Sequence, residues 1–339
     1  MDEASIPGAV ATGVSRGRDA APGDSRVGVA VAIGSTSVHF TAARVHGHRL
    51  EPVADESVLL GLGAVVDREG RLASAARDRL VAELRRYVVR ARELGAHDLT
   101  FVGTEPLRRA SDAGSVARSI LAGTASSLHV LSHEEEAFLS LLGATGGERP
   151  RGTLLLVDIG GGSTDYVRAR ADGTPSAGGV RLGAARLTDA VVRHDPPTRA
   201  EIEALLERAR AAVAVGPFQN VDELVLVGGT ASNLARIVPV ARRDRRLTPR
   251  RLRIAFARLA AAPAAAIAER YGIRSERARL LPGGAAIVEA VLERSALPAA
   301  RVSEAGLREG VILAVAHAGA GWRSQIRELT HGWGDDRSA

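Results

Sequence analysis

The sequence predicts an α/β protein built from two related domains that face each other across a cleft. Three observations lead there. The chain of 339 residues exceeds one ordinary domain and suits two. A strand, a glycine turn and a second strand occur twice, as VGVAVAIGSTSVHFTAARV from residue 27 and as LLLVDIGGGSTDYVRARA from residue 154, and helices follow each copy. Hydrophobic residues make up 45%, yet Arg258 and Pro263 interrupt the Ala-rich stretch 254–268, so no apolar run has membrane-spanning length.

Element by element, residues 1–25 are rich in Ala, Gly, Ser, Asp and Pro and read as a disordered tail. The first domain is expected over 26–133. It opens with the strand–turn–strand unit and a third strand near 50–58, continues through a helix at 74–94, and places LTFVG (99–103) and SLHVL (127–131) as short buried strands around a helix at 113–121. A helix at 133–142 leads into the second domain, expected over 134–303. There the unit 154–171 and a strand near 176–182 precede helices at 183–193 and 198–214, the strand ELVLV (223–227) and a mainly helical remainder. A last helix, 304–318, after Ser303, is a candidate to return to the first domain, and 319–339 is expected to be a tail.

Composition removes several chemistries. Cysteine is absent, which excludes disulfides, thiolate metal sites and cysteine nucleophiles. Every basic residue is Arg or His and none is Lys, so neither a P-loop nor a Schiff-base enzyme is available. The formal charge is +6 and the pI about 10.8, which suits an anionic partner whose phosphates are met by Arg, hydroxyls and backbone N–H groups. Aromatic residues at 3% provide poorly for base stacking and speak against nucleic acid. Asp2 and Glu3 stand where a leader peptide would be basic, so a cytoplasmic protein is expected.

DIGGGSTD, Asp158 to Asp165, is the sharpest motif. Gly160, Gly161 and Gly162 after a buried strand let the backbone approach an anion, and Ser163 and Thr164 add hydroxyls. Asp158 and Asp165 flank the loop as candidate ligands for Mg²⁺ beside the phosphate. The other copy offers Gly34, Ser35, Thr36 and Ser37 as donors. VGGTASNLA, from Val227, sets Gly229 and Thr230 at a helix start, which suits either an anion or close helix packing. In SHEEEAFLSLL, Ser132 and Glu135 have capping-box spacing, leaving Glu136 as a candidate general base or a helix-start acid. GTEPLRRASD carries Arg108 and Arg109, a fork able to bind phosphate oxygens. The run RRDRRLTPRRLR (242–253) reads first as a solvated face.

Together and in this order, from about Arg26 to Ala318, these segments resemble the exopolyphosphatase and guanosine pentaphosphate phosphohydrolase (Ppx/GppA) family in its short two-domain form. The resemblance also includes GGVRLGAARLT, RARLLPGGAAIVEAVL and VSEAGLREGVILA. It implies two RNase H-like domains of the sugar-kinase, Hsp70 and actin superfamily. It implies hydrolysis of terminal phosphate from inorganic polyphosphate, with guanosine pentaphosphate as the alternative substrate, and a homodimer. Glu136 would activate water, Asp158 and Asp165 would position Mg²⁺, Gly160 to Ser163 would hold the scissile phosphate, Arg108 would contact it, and Gly229 and Thr230 would line the cleft. Two departures stand out: Ala32 replaces the Asp usual in the first loop, and Asp165 replaces a Glu in the second. The first leaves the expected metal site one carboxylate short and keeps open a polyphosphate or alarmone sensor; a nucleotide-dependent kinase is the other rival.

Overall fold

A computed structural model describes residues 26–330, apart from 172, 215 and 217; the tail expected over 1–25 and the segment 331–339 lie outside the described residues. The first half carries β1 (Arg26–Ile33), β2 (Ser37–His46), β3 (Arg49–Leu59), α1 (Leu62–Glu69), α2 (Ser74–Glu93), β4 (Asp98–Gly103), α3 (Glu105–Arg109), α4 (Ala113–Thr124) and β5 (Leu128–Val130). Its sheet runs β3-β2-β1-β4-β5, with β1 antiparallel to β2 and parallel to β4. The bridging helix α5 (His133–Thr145) leads to β6 (Leu154–Ile159), β7 (Thr164–Arg170), β8 (Gly173–Val180), α6 (Ala184–Val191), α7 (Arg199–Val213), β9 (Glu223–Val227), α8 (Gly228–Ile237), α9 (Pro239–Asp244), β10 (Arg246–Leu247), α10 (Pro249–Ala261), α11 (Ala264–Tyr271), α12 (Ser275–Ser295) and β11 (Ala300–Val302). The second sheet, β10-β11-β9-β6-β7-β8, repeats the antiparallel triple followed by parallel neighbours, as the internal repeat requires.

Strand β1 shows how period-two patterning distributes the core. Val27, Val29, Val31 and Ile33 face the outer helices, where α2 buries Ala76, Leu80, Leu84, Tyr87 and Ala91 at three- and four-residue spacing. The small residues Gly28, Ala30 and Ala32 occupy the opposite face, which is covered by α13 (Leu307–Ala318); a Cβ on Gly28 would lie 2.8 Å from Ile312 Cγ2. On β6, Leu154 and Leu156 share that middle core, and Leu155, Val157 and Ile159 point into the outer core of the second half. Helices α5 and α13 fill the space between the sheets. They cross backbone to backbone at Gly143 and Gly310, where a Cβ on Gly143 would meet the Gly306 carbonyl oxygen at 1.9 Å.

Two expectations are corrected. The last helix begins at Leu307, not near 304: Ser303 donates to the Ala305 carbonyl, and Glu309 reaches back to accept from Gly306 N–H at 2.8 Å. Residues 319–330 are no tail. A 3₁₀ turn (Gly319–Gln325) and α14 (Ile326–Leu329) bury Trp322, Ile326 and Leu329 in the middle core, an apolar stripe at helical spacing. Helices α1 and α3 and strands β10 and β11 add to the expected elements; each is short, and α1 and α3 pack on each other. No helix among the described residues is long and apolar enough to cross a membrane.

Candidate functional site

The two strand–turn–strand units meet face to face. Gly34 N–H donates to Ser37 O at 3.0 Å, and Gly160 N–H to Ser163 O at 2.9 Å, the same turn 126 residues later. A Cβ on Gly161 would stand 2.3 Å from Thr36 Oγ1, and one on Gly162 would stand 2.9 Å from Glu105 Oε2 and 3.1 Å from Ser35 Oγ. Only glycine lets the loops approach so closely. Ser35 donates to Glu105 at 2.6 Å, while Arg186 of α6 reaches from the Gly162 carbonyl (3.1 Å) to Asp67 (3.3 Å) and Glu105 (3.4 Å) across the cleft. Among the described residues no protein group accepts from the N–H of Gly161 or Gly162.

One pole of the cleft is acidic. Asp158 and Asp165 are direct partners across the β6–β7 ladder, so their side chains emerge side by side on one face. Asp165 accepts from Ser163 Oγ at 2.9 Å and lies 2.8 Å from His133 Nδ1. The capping box forms as read: Ser132 accepts from Glu135 N–H at 3.1 Å and its own N–H donates to Glu135 at 2.7 Å. That cap fixes the first turn of α5 and turns Glu136 inward, where Arg108 Nη1 donates to it at 2.5 Å and to the Leu131 carbonyl at 3.0 Å. Arg108 Nη2 also lies 3.1 Å from His133 Nδ1, which serves either as donor to Asp165 or as acceptor from Arg108, not both. Burial, and then the charge of Asp165, push Glu136 up to about 8 against the pull of Arg108; the same two causes push Asp158 up to about 7.

The opposite pole is basic. In the first unit the positions of Asp158 and Asp165 are held by Ala32 and His39, again direct partners across their ladder. His39 Nε2 accepts from Arg277 Nη2 at 2.6 Å, which leaves the ring proton on Nδ1 and the ring neutral; burial and the charges of Arg308, Arg277 and Arg274 hold it well below the usual histidine range. Arg277 also donates to Ser37 Oγ at 3.0 Å, and its buried Nε has no partner among the described residues. Its own affinity for the proton is lowered to about 10, first by burial and then by Arg274 and Arg308. Arg308 is offset by Asp55 at 3.1 Å, and Arg274 donates to Ser57 Oγ at 2.7 Å.

The start of α8 sits between the poles. Gly228, at φ +84°, leaves room for Asp158, since a Cβ there would stand 2.5 Å from Asp158 Oδ1. At Gly229 a Cβ would meet Arg277 Nη1 at 2.2 Å, and Thr230 donates to the Ile159 carbonyl at 2.8 Å. The helix therefore offers its free first-turn N–H groups between a carboxylate pair and a guanidinium. It is held there by α12, whose Gly284 would clash with Thr230 Cγ2 if it carried a Cβ.

Of the residues expected from sequence, the fold gathers Glu136, Arg108, Asp158, Asp165, the loop residues Gly34 to Thr36 and Gly160 to Ser163, and Gly229 and Thr230 around one cleft. Arg109, the other member of the expected fork, pairs with Asp67 at 2.5 Å and with Glu105 at 2.7 Å. Sequence reasoning missed His39, Arg277, Arg308 and His133. The register of the internal repeat, which aligns His39 with Asp165, was a usable signal for the first. No sequence signal joins Arg277 to a partner 238 positions away.

The model for the Ppx/GppA phosphatase family matches residues 41–318. The chain is 29% identical over 302 residues to exopolyphosphatase 1 of Mycobacterium tuberculosis, covering 85% of this chain and 87% of that protein. It is 24% identical over 287 residues to the guanosine-5′-triphosphate,3′-diphosphate pyrophosphatase of Aeromonas hydrophila, covering 84% of this chain and 58% of that one. Among solved structures, the Aquifex aeolicus Ppx/GppA family member superposes with a TM-score of 0.72 at 26% identity over 86% of this chain and 97% of its own. An exopolyphosphatase from Cytophaga hutchinsonii gives 0.74 at 20% identity over 87% and 98%, a likeness of fold.

Proposed function

The chain belongs to the Ppx/GppA phosphatase family, and from that premise we infer that it hydrolyses the terminal phosphoanhydride of inorganic polyphosphate, with guanosine pentaphosphate as the second substrate to be tried. The observation that carries this reading is the division of one cleft into a carboxylate pole and a guanidinium pole, with glycine loops and a helix N-terminus between them. A chain of phosphates needs both: donors for its oxygens, and carboxylates to hold a cation against it.

Hydrolysis joins water to the terminal phosphorus, breaks the bridging P–O bond and releases one phosphate from a chain shortened by one unit. Glu136 takes the proton of that water at a carboxylate oxygen. Its raised affinity for protons equips it as a base near neutral pH, and Arg108 orients it and offsets the repulsion from Asp165. The N–H groups of Gly161, Gly162 and the first turn of α8 meet phosphate oxygens, and Arg277 holds the chain from the other wall.

The residues fit Mg²⁺ in a restricted way. Among the described residues no three His, Asp or Glu side chains are arranged to hold one ion. Yet Asp158 and Asp165 crowd together in a buried setting that disfavours charge on Asp158, a repulsion a divalent cation relieves. Mg²⁺ keeps several waters and is held by one or two carboxylates plus phosphates, which this pair supplies. When bound, it neutralises charge on the phosphate oxygens. The cytoplasmic homodimer implied by the family resemblance belongs to the same proposal.

The test is phosphate release from tripolyphosphate, long polyphosphate and guanosine pentaphosphate, each with and without Mg²⁺. Release from polyphosphate that needs Mg²⁺ and no second substrate supports the reading. Binding without release, or release only with a nucleotide acceptor, overturns it.

A further inference from the structure

The excess positive charge of the molecule is concentrated in one place outside the cleft. Residues 242–253 contain seven Arg and one Asp, a formal +6 that equals the net charge of the whole chain. Elsewhere several arginine clusters carry their acids with them, as in Arg86 with Glu56 and Glu83, Arg210 with Glu293, and Arg323 with Glu135. In this segment, among the described residues, two make direct ion pairs: Arg251 with Asp244 at 2.8 Å, and Arg245 with Glu304 at 2.5 Å.

The fold makes the segment a single surface. Arg251, in the first turn of α10, donates both to the Asp244 carboxylate and, at 2.7 Å, to the Arg246 carbonyl, tying the start of α10 to the end of α9 and to β10. Thr248 caps α10 by accepting from Arg251 N–H at 3.2 Å, and Leu247 and Leu252 are buried beneath. Arg242, Arg243, Arg246, Arg250 and Arg253 are left exposed, and among the described residues none makes a direct ion pair; Asp244 lies near Arg246 and Glu289 near Arg253. Seven arginines held together against fewer acids repel one another, so a polyanion there gains both attraction and relief of repulsion.

We propose that this arginine surface of α9, β10 and α10 is an exosite that binds the distal part of a long inorganic polyphosphate chain. The proposal rests on the polyphosphate reading of the cleft. The connection is short in the fold: α8 begins at the cleft with Gly228 and ends at Ile237, about 15 Å away at helical rise, and α9 follows directly. Arg236, exposed in the last turn of α8, stands between the two. Nucleic acid fits less well, because the one aromatic residue of α9 to α10, Phe256, is buried and no ring is offered to a base. A bare phosphate chain asks only for cations.

The experiment replaces Arg242, Arg243, Arg246, Arg250 and Arg253 with Gln together in the full chain, with a five-Lys variant as the charge-preserving control. Binding of labelled long polyphosphate is measured by fluorescence anisotropy at several salt concentrations, beside tripolyphosphate and single-stranded RNA of equal charge. The Gln variant is expected to lose about tenfold or more in affinity for long chains and to show a flatter salt dependence through fewer released counterions. Tripolyphosphate affinity and turnover stay at the parental level, and the Lys variant keeps most of the long-chain affinity. Unchanged long-chain binding overturns the exosite, as does an equal loss for tripolyphosphate. Tighter binding of RNA than of polyphosphate, lost in the Gln variant, also overturns it and makes the surface a nucleic-acid site. If the parent releases no phosphate at all, the cleft reading fails while the anisotropy comparison still decides this one.

Discussion

The two strand–turn–strand units share one backbone and carry opposite chemistry. Gly34 and Ser37 close the first turn with the same hydrogen bond as Gly160 and Ser163 in the second, and the paired positions on the inner face match one to one. In the second unit that pair is Asp158 and Asp165. In the first it is Ala32 and His39, and the arginines that surround His39 come from the other half of the chain, Arg274 just before α12 and Arg277 in its first turn, and from α13, Arg308. A duplicated scaffold has thus become a cation side and an anion side. The lesson is that Ala32 marks a change of charge as well as a lost ligand. Gly28 and Ala30 on the same face show that packing of α13 also favours small residues there.

The largest expected effect tests what the acidic side is for. Glu136→Gln should keep the fold and polyphosphate binding but lower turnover by about a hundredfold or more, the scale of a lost general base. Parental turnover in that variant would make Glu136 a helix-start acid, and the acidic side would lose its catalytic meaning. On the basic side, Arg277→Gln should raise KM for tripolyphosphate by roughly tenfold, as expected for one charge-assisted hydrogen bond, with kcat changed less. A fall in kcat alone would place Arg277 with the reacting atoms instead.

Gly228→Ala probes the helix start between the poles. A left-handed backbone alone costs about 1–2 kcal/mol for a residue with a Cβ, and that Cβ would stand 2.5 Å from Asp158 Oδ1. Thermal unfolding should show the loss, and a variant as stable as the parent would mean that Asp158 has room to move. The smallest effect is expected from Ala32→Asp, which restores the symmetry of the two units. It should lower the Mg²⁺ concentration needed for half-maximal phosphate release by a few fold and leave activity equal or raised, because Mg²⁺ is held by few carboxylates. Loss of both binding and turnover at every Mg²⁺ concentration would show a site rebuilt around the missing acid.

Much of this arrangement was legible in the residues. The glycine loops, the strand ends at Asp158 and Asp165 and the capping box before Glu136 are local features, and local chemistry fixes them. The repeat announced two facing domains. What stayed hidden is non-local: the Arg277–His39 contact joins residues 238 positions apart, and the burial that keeps His39 neutral exists only once α12 and α13 are packed. Trp322, Ile326 and Leu329 were readable as an apolar stripe, and the polar and charged residues between them concealed it.

The division of labour itself is tested most directly by two titrations on two variants. Asp158→Asn and Arg277→Gln are each titrated calorimetrically with Mg²⁺ alone and with tripolyphosphate in the absence of divalent cations. Asp158→Asn should weaken Mg²⁺ binding and leave tripolyphosphate affinity unchanged or higher, and Arg277→Gln should do the reverse. Equal losses of both ligands in both variants would contradict the account, because the two units would then form one undivided site.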